Sequence, residues 1–579
     1  MVKQENRLFW ILTLLCVISL LLFLGMSLFN TKGEPREAVV ALSMLKYGNW
    51  TLPVNNGVDI AYKPPLLHWC IALFSLVQGY VSEYTSRLPS ALSLILMVLV
   101  AYKANAKNSG NAMVAFLAGL ITITNFEVHR AGMACRVDML LSSLIVVSIY
   151  LLFGWYKCGQ KGYVPWLAIL AMSGAFLTKG PIGVLLPCLV MGVFMLCRGE
   201  HWLHILSKFV LIGLLSCILP SLWYMAAYRQ GGDNFLSLVL EENVLRFTGK
   251  MTYSSHEQPV YYNFITLLAG FAPYTLLCLF SLFVLKYKRM PLSGSIKSML
   301  LRLKKSILGL SDLQLVSLLS IVIIFVFYCI PKSKRSVYLL PIYPFIAYFL
   351  ANYLVYLSRR YCIAVKLYGY ILSALALLLP VAFIAIQLSW MPSTVFTGKH
   401  AAENISYLSA LHAVPFNLLT IVILLLLVGT AVSFWYWRNR GAYSLSLSVV
   451  SIAFVVLLSL DALFLPAIMR VKSDYDVAMS IRKIVPQGVI YDYREGDSVE
   501  DHDRMHSFTI NFYLNDRVCP LDNSKPNQGY ILIGDNDITS FKTAHKDFLL
   551  KKIKRFDHKS CDDKRYITLF ALRRVSSKP

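Results

Sequence analysis

The chain has 579 residues, of which 57% are hydrophobic and only 15% charged, and its formal net charge is +24. A soluble globular protein carries about 25% charged residues, so the composition excludes that class. The positive charge does not call for a nucleic-acid partner, because Lys and Arg in cytoplasmic loops and at an anionic membrane surface account for it.

A hydrocarbon core about 30 Å thick needs roughly 20 apolar residues of helix. Runs of that kind recur up to residue 465. In lipid the backbone must satisfy its own polar groups, so the runs are helices. We read about thirteen spans, a length-and-hydropathy count, near 8–29, 88–107, 110–126, 137–156, 164–179, 181–197, 204–227, 260–285, 313–330, 337–356, 364–388, 413–436 and 443–465. The first run follows Lys3 and Arg7 and lacks a small-x-small cleavage site. It reads as an uncleaved span rather than a signal peptide.

With the N-terminus in the cytoplasm, the inner segments hold Lys103, Lys107, Lys157, Lys161, Arg198, a cluster from Lys286 to Lys305, Arg359, Arg360, Arg438 and Arg440. That is the positive-inside pattern. Three segments then face outward: a loop at 30–87, a loop at 228–259 and a polar tail at 466–579. The expected fold is an α-helical polytopic bundle over 1–465 and a small α/β domain over 466–579.

In the first loop, a helix is expected over Pro35 to Lys46, with Pro in its first turn. Turns follow at Tyr47-Gly48-Asn49 and Asn55-Asn56-Gly57. Leu66 to Val81 reads as a helix in the membrane interface, with His68 and Trp69 near the headgroups. In the tail, Asp474 to Ile484 and Ser540 to Ile553 look helical. Gly488 to Tyr493, Tyr530 to Gly534 and Tyr566 to Arg573 look extended, and Phe508 to Leu514 is mixed. The twelve cysteines form no CxxC or Cys/His metal spacing. Cys519 and Cys561 lie in the tail, where an outward location permits a disulfide.

Candidate chemistry gathers at the outer ends of the spans. Glu34 and Arg36 open the first loop, as a base and an orienting or phosphate-binding cation. A helix N-terminus carrying acids is the plainer reading. Lys63, held by Pro64 and Pro65, suits a phosphate or simply snorkels. Asp138 enters a span beside Arg130 and Arg136, either as a functional carboxylate or as their structural partner. Lys179 sits in a turn between two spans. Arg246 and His256 are phosphate or metal candidates in the 228–259 loop. Lys334, Arg335 and Tyr338 form a basic outer turn, which favours an anion.

In order, GEPREA at 33–38, GNWTLPVNNG at 48–57, YKPPLLHW at 62–69, SRLPSA at 86–91, RAGMACRVDM at 130–139, FLTKGP at 176–181, EENVLRF at 241–247 and SKRSVYLLPIYP at 333–344 resemble the GT-C glycosyltransferases. The resemblance is specifically to the 4-amino-4-deoxy-L-arabinose lipid A transferase family, itself similar to protein O-mannosyltransferases. The resemblance implies a bacterial inner-membrane bundle with its active site and C-terminal domain on the periplasmic side. It implies a polyprenyl-phosphate (undecaprenyl phosphate) sugar donor, inversion at the anomeric carbon, and lipid A or another outer-leaflet glycan as acceptor. Lys63 and Arg246 would contact the lipid phosphate, and Glu34 and Asp138 would line the catalytic cavity. Two positions depart from the family pattern. Gly33 stands where the family has Asp. Tyr62 stands where it has a Glu linked, with a His resembling His256, to a divalent metal.

The function read from the sequence is therefore transfer of a sugar such as aminoarabinose from undecaprenyl phosphate. A protein O-mannosyltransferase-like enzyme is the neighbouring alternative. A lipid-linked sugar transporter or flippase would call for internal repeats and midplane charges, and neither is visible. A non-catalytic scaffold or sensor has Gly33 as its main support.

Overall fold

The computed structural model describes residues 2–57, 59–159, 164–248, 250, 257–286, 296–493, 507–521 and 526–575. Among them, nine helices are long and apolar enough to cross a membrane, and two bent pairs raise the number to eleven. The chain is a multi-span membrane protein with a C-terminal sheet domain. The count of about thirteen, drawn from hydropathy alone, is not reproduced by helix length. Its two remaining spans are the apolar helices Trp166–Lys179 and Ile182–Cys197, only 14 and 16 residues long. The intervening turn contains Gly180, at φ 97°, and Pro181, and this ends one helix and starts the other. The first helix also stops earlier than expected, at Leu21.

The two bent pairs re-aim the chain sharply. Ala112–Thr124 meets Phe126–Gly132 at 69°. Asn125 makes the corner. Its side chain accepts from Val128 N and donates to the carbonyls of Ile121 and Thr122, so one residue caps both helices. Tyr261–Gly270 meets Tyr274–Val284 at 98°, where the sequence suggested one straight span. Stretches of π-helix occupy Glu241–Leu245 and Leu460–Phe464. The second turns Asp461 toward His129, whose Nε2 lies 2.6 Å from Asp461 Oδ2.

In the first loop, helix Gly33–Tyr47 ends at Gly48, which takes the left-handed conformation at φ 74° that a side chain resists. A hairpin follows, with Val54–Asn55 paired to Asp59–Ile60. Asn56 and Gly57 turn it at positive φ. Helix Leu66–Gln78 occupies the expected interfacial segment, and Leu73, Leu76 and Val77 are exposed. His68 turns into the protein. It is 1% exposed and faces Glu37, because a helical face that holds a carboxylate draws the polar side chain inward.

The tail forms a five-stranded mixed sheet, in the order Val518–Pro520, Ile490–Asp492, Gln528–Gly534, Tyr566–Arg574 and Phe548–Lys559. Helices Tyr475–Ile484 and Phe508–Tyr513 cover one face through Val477, Ile481 and Ile510. Helix Ile538–Ala544 covers the other through Phe541. The expected helix Ser540 to Ile553 is a helix only to Ala544; the rest joins the antiparallel edge strand Phe548–Lys559. Cys519 and Cys561 are both free thiols, and Cys561 is buried against Asp474. The allowed disulfide is therefore absent from the structure.

Candidate active site

Helix Gly33–Tyr47 is the platform. Glu34 and Glu37 are one turn apart, so both carboxylates point from one face into the protein. They do different things there.

Glu34 is clamped. Arg87 Nε and Nη2 bond its two oxygens at 2.8 and 3.2 Å, and Cys135 N donates to Oε1 at 2.9 Å. Arg87 also donates to the carbonyls of Leu24 and Ser27. The pair joins the loop helix to helix Glu83–Ser109 and to the end of the first span. Burial would raise the Glu34 pKa, but Arg87 and the Cys135 amide hold it below the usual carboxylate range. Such a two-pronged, buried ion pair organises structure.

Glu37 is the hub of the cleft. Lys63 bonds Oε1, His68 Nε2 lies 2.8 Å from Oε2, and Arg36 Nη2 is 3.3 Å from Oε1. Burial opposes the charge, yet Lys63, His68 and Arg36 hold the carboxyl well below its ordinary value. Burial and neighbouring Arg36 push the Lys63 ammonium down to about 8, even with Glu37 attached. Glu242 lies within electrostatic reach of both Arg36 and Lys63, and Tyr62 within reach of Arg36. Arg246 bonds Glu242 across one turn of the π-helical stretch.

Asp138 forms the opposite wall, in the first turn of helix Val137–Lys157. Lys179 Nζ is 2.5 Å from Asp138 Oδ1 and 4.2 Å from the centre of the Tyr338 ring. Among the described residues, no side chain bonds Asp138 Oδ2. Arg136 and Arg335 are within electrostatic reach of Asp138, and Arg335 is also close to Arg36. Burial lowers the Arg335 pKa, together with the neighbouring arginines. The walls approach at Gly180, where a Cβ would come within 2.6 Å of Asn243 Oδ1.

The structure thus assembles Arg36, Lys63, Asp138, Arg136, Lys179, Arg246, Arg335 and Tyr338 from five separate segments. Two expected residues lie apart. Arg130 pairs with Glu127 at 2.7 Å on its own helix, and among the described residues no ion pair joins it to the cleft. Lys334 is buried, and its ammonium donates to the carbonyls of Pro331 and Gln258 at 2.5 and 3.1 Å. That lysine pins two loops together and is not presented to an anion. His256 lies outside the described residues. Four participants escaped the sequence reading: Glu37, His68, Arg87 and Glu242. Glu37 and His68 were open to inference, since each stands on the same helical face as a chosen or flanking motif residue. Arg87 and Glu242 lie inside the quoted stretches SRLPSA and EENVLRF, but nothing there singled them out from their neighbours.

A divalent metal in this cleft does not fit the described residues. Tyr62 replaces the acid, and the nearest carboxylate, Glu37, is neutralised by Lys63 and Arg36. Behind the platform helix, a separate cavity of about 1450 Å³ is lined by Leu42, Leu45, Tyr80, Pro466, Arg470 and Tyr513 among others. It adjoins the C-terminal domain rather than the charged cleft.

Comparison with known proteins finds relatives in sequence and in fold. The family model described as dolichyl-phosphate-mannose-protein mannosyltransferase matches residues 62–224. A Proteus mirabilis (strain HI4320) protein named undecaprenyl phosphate-alpha-4-amino-4-deoxy-L-arabinose arabinosyl transferase 2 is 27% identical over 386 residues, 65% of this chain and 65% of that one. A Pseudomonas fluorescens protein named as transferase 1 of the same kind is 32% identical over 251 residues, 42% of this chain and 44% of its own length. An Aquifex aeolicus protein of no stated function is 29% identical over 56% of this chain and 60% of its length. The chain therefore spans about 60–65% of the first of these relatives. The crystal structure of ArnT from Cupriavidus metallidurans bound to undecaprenyl phosphate superposes with a TM-score of 0.68, 18% identity and 98% coverage of both chains.

Proposed function

We propose, from a chain that has the GT-C fold of ArnT and sequence kinship with the aminoarabinose transferases, that this protein transfers a sugar from undecaprenyl phosphate to lipid A or another outer-leaflet glycan. The observation that carries the reading is a cleft in which six cations, Arg36, Lys63, Arg136, Lys179, Arg246 and Arg335, surround three carboxylates, Glu37, Asp138 and Glu242. A lipid phosphodiester gains charge as its sugar leaves, and such a surplus stabilises it.

In this mechanism Asp138 Oδ2 takes the proton of the acceptor hydroxyl. Lys179, bonded to the other oxygen, keeps the carboxylate ionised and oriented. The acceptor oxygen attacks the anomeric carbon from the face opposite the phosphate, so configuration inverts. Lys63 and Arg246 hold the departing phosphate, while Glu37 fixes Lys63 and Glu242 fixes Arg246. Arg36, Arg136 and Arg335 add to the field. Glu34 supports the loop, since both of its oxygens are committed to Arg87 and Cys135 N.

We place the cleft and residues 466–579 on the periplasmic side of a bacterial inner membrane, with the N-terminus in the cytoplasm. The distribution of Lys and Arg supports this orientation, including the basic helix Ile296–Leu308 between two spans. Helix Leu465–Lys472 continues the last span, so the domain proper begins after it.

Lipid A mass spectrometry with and without the gene tests the function. A pentosamine-sized shift that disappears with the gene supports it; unchanged lipid A, with no donor consumed by the purified protein in detergent, sinks it. The mannosyltransferase match over 62–224 favours a protein acceptor as the second reading, which hexose on secreted proteins would reveal.

A further inference from the structure

We propose that Asp474, Cys561 and Asp562 bind a divalent metal ion, zinc by the chemistry of the set, at the root of the C-terminal domain, with solvent completing the coordination. Asp474, Cys561 and Asp562 are all buried and offer ligand atoms within 4.8 Å of one another, the one such group among the described residues. Cys561 Sγ is 3.4 Å from Asp474 Oδ2 and 3.8 Å from Asp562 Oδ1. A tetrahedral zinc with ordinary Zn–S and Zn–O bonds spaces a sulfur and an oxygen by about 3.5 Å. Two edges of the triangle thus already have the right length.

His558 stands beside the group rather than in it: its Nε2 is 3.2 Å from Asp474 Oδ1 and its side chain is partly exposed. Charge argues the same way. Ser560 Oγ and Cys561 N donate to Asp474, and Thr509 donates to Asp562 through N and Oγ1. Among the described residues no Lys or Arg pairs with either carboxylate. Two buried carboxylates beside one partly exposed imidazole leave negative charge uncompensated. A thiolate beside two carboxylates suits zinc better than magnesium or calcium, which take oxygen. On binding, the Cys561 thiol releases its proton and the sulfur becomes a ligand.

The location gives the ion a structural task. Asp474 follows helix Leu465–Lys472 at the exit from the membrane. His558, Cys561 and Asp562 belong to the end of the edge strand and its turn. Thr509 belongs to the helix that packs against the first loop, and Asp563 lies 3.7 Å from Lys32 of that loop. One ion ties the membrane exit to the sheet at the domain's base, through residues other than those of the charged cleft and independent of that cleft's assignment.

Full-length protein purified in detergent without chelator should carry about one zinc per chain by elemental analysis. Cobalt substitution should produce a thiolate-to-cobalt charge-transfer band. Cys561→Ser should abolish the band, and Asp562→Asn should weaken zinc retention against a competing chelator about 10–100-fold. No zinc and no cobalt band in the unmodified protein would overturn the proposal, whatever the variants' folding. So would a band that survives Cys561→Ser.

Discussion

The guanidinium of Arg136 lies against Gly33, where an added Cβ would come within 2.7 Å of Nη2 and 3.1 Å of Cζ. Position 33 is where the motif resemblance leads one to expect an acid, and the space an acid would need is held here by a cation. The two observations are complementary: an acid at 33 would meet Arg136 as an ion-pair partner and pull its charge out of the cleft.

Gly33→Ala should therefore change binding more than folding. The clash is with the far end of a flexible side chain, so Arg136 swings aside at little cost in stability. We expect the KM for the lipid-phosphate donor to rise about 10-fold, equivalent to about 1.4 kcal/mol, with the Tm nearly unchanged. Steady-state kinetics beside a thermal melt measures both. A KM equal to wild type would show that Arg136 does not face the donor.

Asp138→Asn and Glu34→Gln should separate chemistry from architecture. Asp138→Asn removes the proposed base and should cut kcat about 10²–10⁴-fold while the fold survives. Glu34→Gln leaves Arg87 buried with a neutral partner, and breaking a buried ion pair costs about 3–5 kcal/mol. Its signature should be lost yield and a lower Tm. If Glu34→Gln folds normally and loses only kcat, the base is Glu34.

Donor binding should weaken in mild alkali. The Lys63 ammonium, lowered to about 8, is fully charged below that pH and loses its proton as pH rises through it. The folded value lies below that of a free lysine, so deprotonation arrives early and removes a phosphate contact. The Glu37 carboxyl, held well below its usual value, stays ionised throughout. The KM for donor should climb above about pH 8, and Lys63→Arg should move the rise upward, since guanidinium keeps its proton. A flat profile in the unmodified enzyme would remove Lys63 from donor binding.

Tyr513→Phe should loosen the C-terminal domain from the first loop. Its hydroxyl donates to Glu83 at 2.7 Å and accepts from Phe29 N at 3.0 Å. We expect about 1–3 kcal/mol of destabilisation, the cost of leaving buried partners unsatisfied, read as faster proteolysis between residues 473 and 575.

The bundle was legible because hydropathy acts locally. Each run near 137–156 or 364–388 became a helix, whereas Asn125 and the 98° bend near 270 depend on corner bonds that no apolar run announces. In the tail, Leu549-Leu550-Lys551-Lys552-Ile553-Lys554 suits a helix by composition. Pairing with Tyr566–Arg574 overrode that preference. Motif order led to Lys63, Asp138, Lys179 and Arg246, but it could not say which acid of Glu34-Pro35-Arg36-Glu37 faces the cations. That choice comes from Arg87, 53 residues away, which takes Glu34 and leaves Glu37 to Lys63 and His68.

Helix Gly33–Tyr47 carries the charged cleft at one end. At the other, Lys46 donates to the carbonyls of Asn515 and Asp516 in the C-terminal domain at 3.2 and 2.7 Å. Fifteen residues make a rod about 22 Å long. A rod gripped at both ends is a lever: a small tilt of the C-terminal domain, from whatever lodges in the cavity behind the helix, shifts Glu37 and with it the Lys63 ammonium. An acceptor touching only the domain could thus set the spacing of charges at the reacting phosphate.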